Sequence, residues 1–88
     1  MADQLVFTWE TESVPAPVLH LRGRLDAAGA QQLHETVLAA VRNTEAPKVV
    51  VDLADVGFVA STGLAIFLLL TEELGDLNGT IVFANATP

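Results

Sequence analysis

Two hydroxyl side chains and a glycine, Ser61, Thr62 and Gly63, lie between two apolar segments of this 88-residue chain. The segment Lys48 to Leu53 is rich in valine and bounded by polar residues, a pattern typical of a strand buried on both faces of a parallel sheet. The following apolar run is longer than a typical strand and predicts a helix over Thr62 to Leu74. Ser61 or Thr62 is then predicted to be the N-cap of this helix, with its oxygen available to the free backbone N–H groups of the first turn, and the same position suits a phosphate. This junction is therefore the first candidate for function.

The first half of the chain predicts a hairpin followed by a helix. Leu5 to Trp9 alternates as a half-buried strand does, and Thr11 to Pro17 predicts a loop. A second strand begins with Val18 to Leu21 and is expected to end where Gly23 breaks the pattern. Apolar residues then recur at helical spacing, which predicts an amphipathic helix over Ala27 to Asn43 with Asp26 as its N-cap.

The second half predicts two parallel strands joined by a crossover helix. Ala54 to Ala60 is expected to connect the valine-rich strand to the second helix, and Gly75 is a suitable C-cap for that helix. Asn78-Gly79 predicts a turn, and Thr80 to Ala84 a last strand parallel to the third. The predicted order is β-β-α-β-α-β, an α/β fold with a mixed sheet and flanking helices.

The segment from Asp52 to Leu64, D-L-A-D-V-G-F-V-A-S-T-G-L, closely resembles the STAS domain (sulfate transporter and anti-sigma factor antagonist). The family pattern is roughly D-L-S-x-V-x-F-x-D-S-[ST]-G-L. Leu21 to Leu33 is similar to the family's G-x-L-D segment with its following helix. The resemblance extends from Leu5 to Asn85 and implies a single STAS-like domain over residues 1–88 that lacks the family's C-terminal elements. Whether the chain is whole or a fragment is left open.

The resemblance implies a phosphorylation site at Ser61, with Thr62 as second choice. Many anti-sigma factor antagonists carry an Asp immediately before this serine, whereas this chain has Ala60 there. The partner-binding surface implied by the family comprises Asp26, Ala60, Ser61, Thr62 and Gly63. A structural alternative, in which Ser61 is only a helix N-cap, fits the residues equally well.

Composition excludes several classes of function. Eleven carboxylates against four basic side chains give a net charge of −7, which argues against binding nucleic acid or an anionic membrane surface. The longest apolar run, Leu64 to Leu70, is too short to insert into a membrane. No signal segment is evident, and there is no cysteine, so we expect a cytoplasmic protein.

Catalysis and metal binding have little support in the sequence. Asp52 and Asp55 near a strand end are more typical of turn and capping groups than of acid chemistry. His20 and His34 are separated from each other, and no cysteine accompanies them, so zinc is not expected. A triad of Ser61, His34 and Asp55 has no supporting motif. We expect no enzymatic activity, metal or cofactor.

Two functions remain open. The first is an anti-anti-sigma-like module that binds an anti-sigma factor with serine kinase activity and is switched off by phosphorylation of Ser61. The second, also implied by resemblance, is the STAS subunit of a phospholipid-trafficking ABC transporter, which would dock on the ATPase subunit without phosphorylation.

Overall fold

A computed structural model of the protein describes residues 5–85. The elements follow the predicted β-β-α-β-α-β order, and their bounds are β1 Val6–Glu10, β2 Val18–Leu25, α1 Ala27–Val41, β3 Lys48–Val59, α2 Ser61–Asp76 and β4 Thr80–Ala84. The strands form one sheet in the order β1-β2-β3-β4. β1 and β2 are an antiparallel hairpin, whereas β2, β3 and β4 are parallel. The predicted fold class is thereby confirmed.

Both helices cover the same face of the sheet. Crossovers between parallel strands are right-handed, so α1 and α2 leave and return on one side. Side chains on alternate positions of β2 and β3 join the helices in a single apolar cluster, whose fully buried members include Leu19, Leu25, Leu33, Val51, Leu70 and Leu74. The opposite face carries Val6 and Val82, which are 50% and 48% exposed. The molecule therefore has one packed and one open sheet face.

The two central strands are longer than the sequence predicted. β2 continues through Gly23, whose φ of 115° suits glycine, and ends at Leu25. β3 continues through the predicted connection Ala54 to Ala60 as far as Val59. His20 pairs with Asp52 and Arg22 with Asp55, so β3 has one extra residue in this interval. A second extra residue of β3 follows the pairing of Gly23 with Val56. These bulges in β3 interrupt the regular alternation, which is why the pattern resembled a loop.

The helix ends differ from the predictions by a few residues. α1 begins after Asp26 as predicted, because the Asp26 Oδ1 accepts a hydrogen bond of 2.9 Å from the Gly29 N–H. α2 continues past Gly75, so the predicted C-cap is wrong, and Leu77 ends the helix. The chain then turns at Asn78, with a φ of 59°, and passes close to Pro47 at Gly79. A Cβ on Gly79 would lie 2.5 Å from the Pro47 carbonyl oxygen, so this crossing requires glycine.

Neither helix within residues 5–85 combines the length and the apolar character needed to cross a bilayer.

Candidate functional site

The β3–α2 junction lies beside the β2–α1 junction at one edge of the sheet. β2 and β3 are parallel, and Leu25 pairs with Val59 at their carboxyl ends. The Ala60 N–H donates to the Leu25 carbonyl at 2.9 Å, which joins the two junctions directly. The structure therefore brings the predicted partner-binding residues together, namely Asp26, Ala60, Ser61, Thr62 and Gly63.

The two helix starts at this edge differ in their caps. The Asp26 carboxylate caps α1, but the residue that precedes α2 is Ala60, whose methyl side chain makes no capping hydrogen bond. The Ala60 carbonyl accepts from the N–H groups of Gly63 and Leu64, at 2.9 and 3.2 Å. Ser61 is therefore already the first helical residue, and the prediction that Ser61 or Thr62 is the N-cap is wrong. The chain enters the helix one residue earlier than that prediction required.

The hydroxyls of Ser61 and Thr62 are exposed, and neither hydrogen-bonds to another group among the described residues. The first N–H groups of a helix have no partner within the helix and carry its positive dipole end. An oxyanion attached to Ser61 would therefore lie beside free donors. The site is chemically suited to carrying a phosphate.

Gly63 allows α2 to start close against the sheet. It is buried, and a Cβ at this position would lie 3.0 Å from Cδ2 of Leu25 and 3.1 Å from Cγ1 of Val59. A side chain would therefore push the first turn of α2 away from the ends of β2 and β3. Glycine fixes the position from which Ser61 projects.

Ser61 stands at the end of an exposed apolar row on α2. Leu64 and Leu68 follow it at i+3 and i+7, which places all three on one face of the helix. Leu64 is 56% exposed and Leu68 is 70% exposed. We call the row of Ser61, Leu64 and Leu68 the α2 stripe. Exposed large apolar side chains that lie next to each other are a common feature of protein-docking surfaces.

Thr62 faces a different environment from Ser61. It lines a shallow cleft of about 380 Å³ between α1 and α2, together with His34 and Gln31. The His34 Nε2 is 2.5 Å from the Glu73 Oε1, so this ring is held by the other helix. Asp55 lies across the sheet from these helices, in register with Arg22. The structure therefore does not assemble Ser61, His34 and Asp55 into a triad.

A polar network on the open sheet face was missed by the sequence analysis. The His20 ring bridges two carboxylates, with Nδ1 2.7 Å from Asp52 Oδ2 and Nε2 2.8 Å from Glu10 Oε1. Asp52 Oδ1 also accepts from the Asn85 side chain at 2.9 Å and from the Ala54 N–H at 3.0 Å. The hydrogen bonds to Glu10 and Asp52 raise the pKa of His20, while those from Asn85 and Ala54 lower the pKa of Asp52. The alternation of side chains along β1 and β2 indicates that Glu10 and His20 lie on the open face. Their contact could not be predicted, because it depends on the register in which the two strands pair.

Within residues 5–85, no three His, Asp or Glu side chains gather into a group that could hold a metal ion.

The comparison with known families agrees with this geometry. A model of the family described as "Mlab, STAS domain" matches residues 10–88. This chain belongs to the STAS family. The resemblance seen in Asp52 to Leu64 is thereby confirmed.

Anti-sigma factor antagonists are among the known proteins that are similar to this STAS domain. BtrV of Bordetella bronchiseptica, provisionally named an anti-sigma factor antagonist, is 32% identical over 68 residues, covering 77% of this chain and 58% of BtrV. An anti-sigma factor antagonist from Mycobacterium paratuberculosis is 29% identical, with a TM-score of 0.73 over 92% of this chain and 68% of that one. The Bacillus antagonist SpoIIAA, in its unphosphorylated form, is 22% identical with a TM-score of 0.77, covering 94% and 76%.

These similarities support an anti-sigma factor antagonist-like STAS domain. The chain spans 58% of the length of BtrV, the curated relative it matches. The likeness to SpoIIAA shows a shared fold, and SpoIIAA itself has been solved in both unphosphorylated and phosphorylated forms. The roles of Ser61 and of its neighbours in this chain stay predictions.

Proposed function

We propose that this STAS domain is a non-enzymatic switch that binds an anti-sigma factor with serine kinase activity in the cytoplasm. The observation that carries the proposal is the α2 stripe, in which an exposed, unbonded hydroxyl adjoins two exposed leucines. The leucines supply the apolar contact that an interface core requires. Ser61 supplies the group that the kinase modifies, and Thr62 is the second choice.

Phosphorylation of Ser61 would leave the domain folded but weaken its complex. At the start of α2 the phosphate is stabilised by free N–H groups and by the helix dipole. In a complex the same dianion would lie at the edge of an apolar contact, where burying an unpaired charge costs several kcal/mol. The domain therefore binds when Ser61 is unmodified and releases its partner when Ser61 carries phosphate.

Ala60 alters the charge around Ser61 relative to many family members. The residue before the serine brings a methyl group where an aspartate would bring a carboxylate. Residue 60 therefore places no negative charge beside a phosphate on Ser61. In this chain the switch depends on the phosphate alone.

The test compares two variants at one position with a matched variant at its neighbour. The unmodified domain is used to recover its partner from the host's lysate, and the purified pair is then titrated by calorimetry. We expect Ser61→Asp to weaken binding more than tenfold and Ser61→Ala to leave it unchanged. Thr62→Asp adds the same charge toward the α1–α2 cleft and should weaken binding less. Equal affinities for the Ser61 variants would contradict the switch.

A second function is favoured by the same stripe together with Ala60. We propose it as the alternative: permanent docking on the ATPase subunit of a phospholipid-trafficking ABC transporter. The exposed Leu64 and Leu68 are suited to a permanent apolar contact. The absence of a carboxylate at Ala60 is consistent with a β3–α2 junction that docks on a partner without being phosphorylated by a kinase. Recovery of an ATPase whose binding survives Ser61→Asp, with Ser61 unmodified by mass spectrometry, would favour this function over the switch.

A further inference from the structure

The open sheet face carries equal numbers of positive and negative side chains in a chain whose net charge is −7. Alternation along the strands places three of the four basic residues on this face, and three carboxylates lie there with them. These six are Arg22, Arg24, Lys48, Glu10, Asp52 and Asp55. The net charge of the protein therefore comes from the rest of the chain, and this face is formally neutral.

A row of three valines crosses the same face. Val18 of β2 pairs with Val50 of β3, which pairs with Val82 of β4. Their neighbours along the strands, among them Leu19 and Ile81, are buried on the helix side, so the three valines point to the open side. No helix covers this row in the part of the chain that the structure describes. The open face therefore combines an apolar centre with charges of both signs.

Two opposite charges on this face lie side by side without pairing. Arg22 and Asp55 are register partners on β2 and β3, and both are exposed. Neither forms a salt bridge to another residue within 5–85. By contrast, the two ring nitrogens of His20 already have partners in Glu10 and Asp52. Covering the face would therefore leave the His20 network satisfied and offer new partners to Arg22 and Asp55.

We propose that a second copy of this chain packs on the open sheet face. A two-fold axis parallel to the strands, midway between β2 and β3, places each β2 residue opposite the β3 residue that is its register partner. Arg22 of each copy then lies opposite Asp55 of the other, and Val18 lies opposite Val50. A formally neutral face with paired opposite charges matches itself better than it matches a strongly acidic or basic partner.

The size of the face predicts a weak, reversible dimer. Four strands about 4.8 Å apart and the eight residues of β2 at about 3.3 Å each give a face of about 500 Å² per copy. An interface of this size is at the lower limit for specific association, so we expect a dissociation constant on the order of 100 μM. The α2 stripe lies on the helix side and stays accessible in the dimer, so this proposal does not depend on the switch at Ser61.

Sedimentation velocity from about 10 μM to 1 mM protein tests the association, and circular dichroism checks that each variant is folded. We expect wild type to shift from monomer to dimer over this range. Arg22→Glu places two like charges opposite each other and should weaken dimerisation more than tenfold, as should Asp55→Arg. Arg42→Glu, at the end of α1, makes the same change in net charge as Arg22→Glu and should leave dimerisation unchanged.

Mixing the two open-face variants gives the decisive measurement. Arg22→Glu and Asp55→Arg should each be largely monomeric alone, yet an equal mixture should dimerise, because each variant offers the charge that the other lacks. Contacts within one chain cannot produce this rescue. Wild type that stays monomeric at 1 mM, an Arg22→Glu variant that dimerises as wild type does, or a mixture of folded variants that stays monomeric would each overturn the proposal.

Discussion

At the scale of single residues, the junction depends on what Ala60 and Gly63 lack. Ala60 has no oxygen to cap α2, so Ser61 starts the helix with its hydroxyl directed to no other described group. Gly63 has no Cβ, so the first turn of α2 lies directly against Leu25 and Val59. Together these two small residues expose Ser61 and hold it at a fixed place on the sheet edge.

The role of Gly63 can be tested against another glycine of the same helix. We expect Gly63→Ala to destabilise the domain by about 1–3 kcal/mol, the usual cost of overpacking, because the new methyl group would lie 3.0–3.1 Å from Leu25 and Val59. Gly75→Ala, with no atom within 4 Å of the new methyl group, should be neutral or stabilise by up to about 1 kcal/mol. Urea unfolding measures both. Equal effects of the two substitutions would show that Gly63 matters only through helix propensity.

At the scale of elements, the sheet is joined by side chains as well as by backbone. Glu10 of β1, His20 of β2 and Asp52 of β3 form a continuous polar bridge, which Asn85 extends just beyond β4. The bridge joins three strands and the residue that follows the fourth, on the face that no helix covers. The carboxylates favour the protonated ring, which makes the bridge sensitive to pH.

The bridge predicts a pH dependence of stability that belongs to His20. A pKa raised in the folded state adds stability at pH values below the unfolded pKa of histidine, about 6.5. That stability is lost as the pH rises through the folded pKa. We therefore expect wild type to exceed His20→Gln in Tm at about pH 6, and the difference to shrink by about pH 8.

Thermal unfolding followed by circular dichroism at several pH values measures this difference. Glu10→Gln removes one of the two carboxylates and should give an intermediate dependence, since Asp52 still accepts from the ring. A Tm difference between wild type and His20→Gln that stays constant with pH would show that the ring contributes by packing alone.

At the scale of the whole molecule, burial is one-sided. Both helices pack on one face of the sheet, and within residues 5–85 no buried side-chain nitrogen or oxygen lacks a hydrogen-bond partner. Large apolar side chains remain exposed on α2 and on the open sheet face, among them Leu64, Leu68 and Val82. The core is therefore complete without the stripe, which leaves the stripe available for a partner.

Two leucines of α2 test this division between folding and binding. Leu68 is 70% exposed, whereas Leu70 is fully buried two residues later. We expect Leu68→Ser to change the unfolding free energy by less than about 0.5 kcal/mol and to weaken partner binding about tenfold. Leu70→Ala should cost about 2–5 kcal/mol of stability. Calorimetry with the recovered partner and urea unfolding separate the two effects, and a Leu68→Ser variant that binds normally would exclude the stripe as the docking surface.

The sequence by itself determined the element order, the mixed sheet, the α1 cap at Asp26 and the STAS family, because periodicity, turn residues and the Asp52 to Leu64 motif are local signals. Tertiary structure alone decided the rest. The β3 bulges, the cap at Ala60 and the His20 bridge depend on strand register and on how distant segments meet. Local sequence patterns do not indicate which distant side chains will be in contact, so these contacts could be identified only from the tertiary structure.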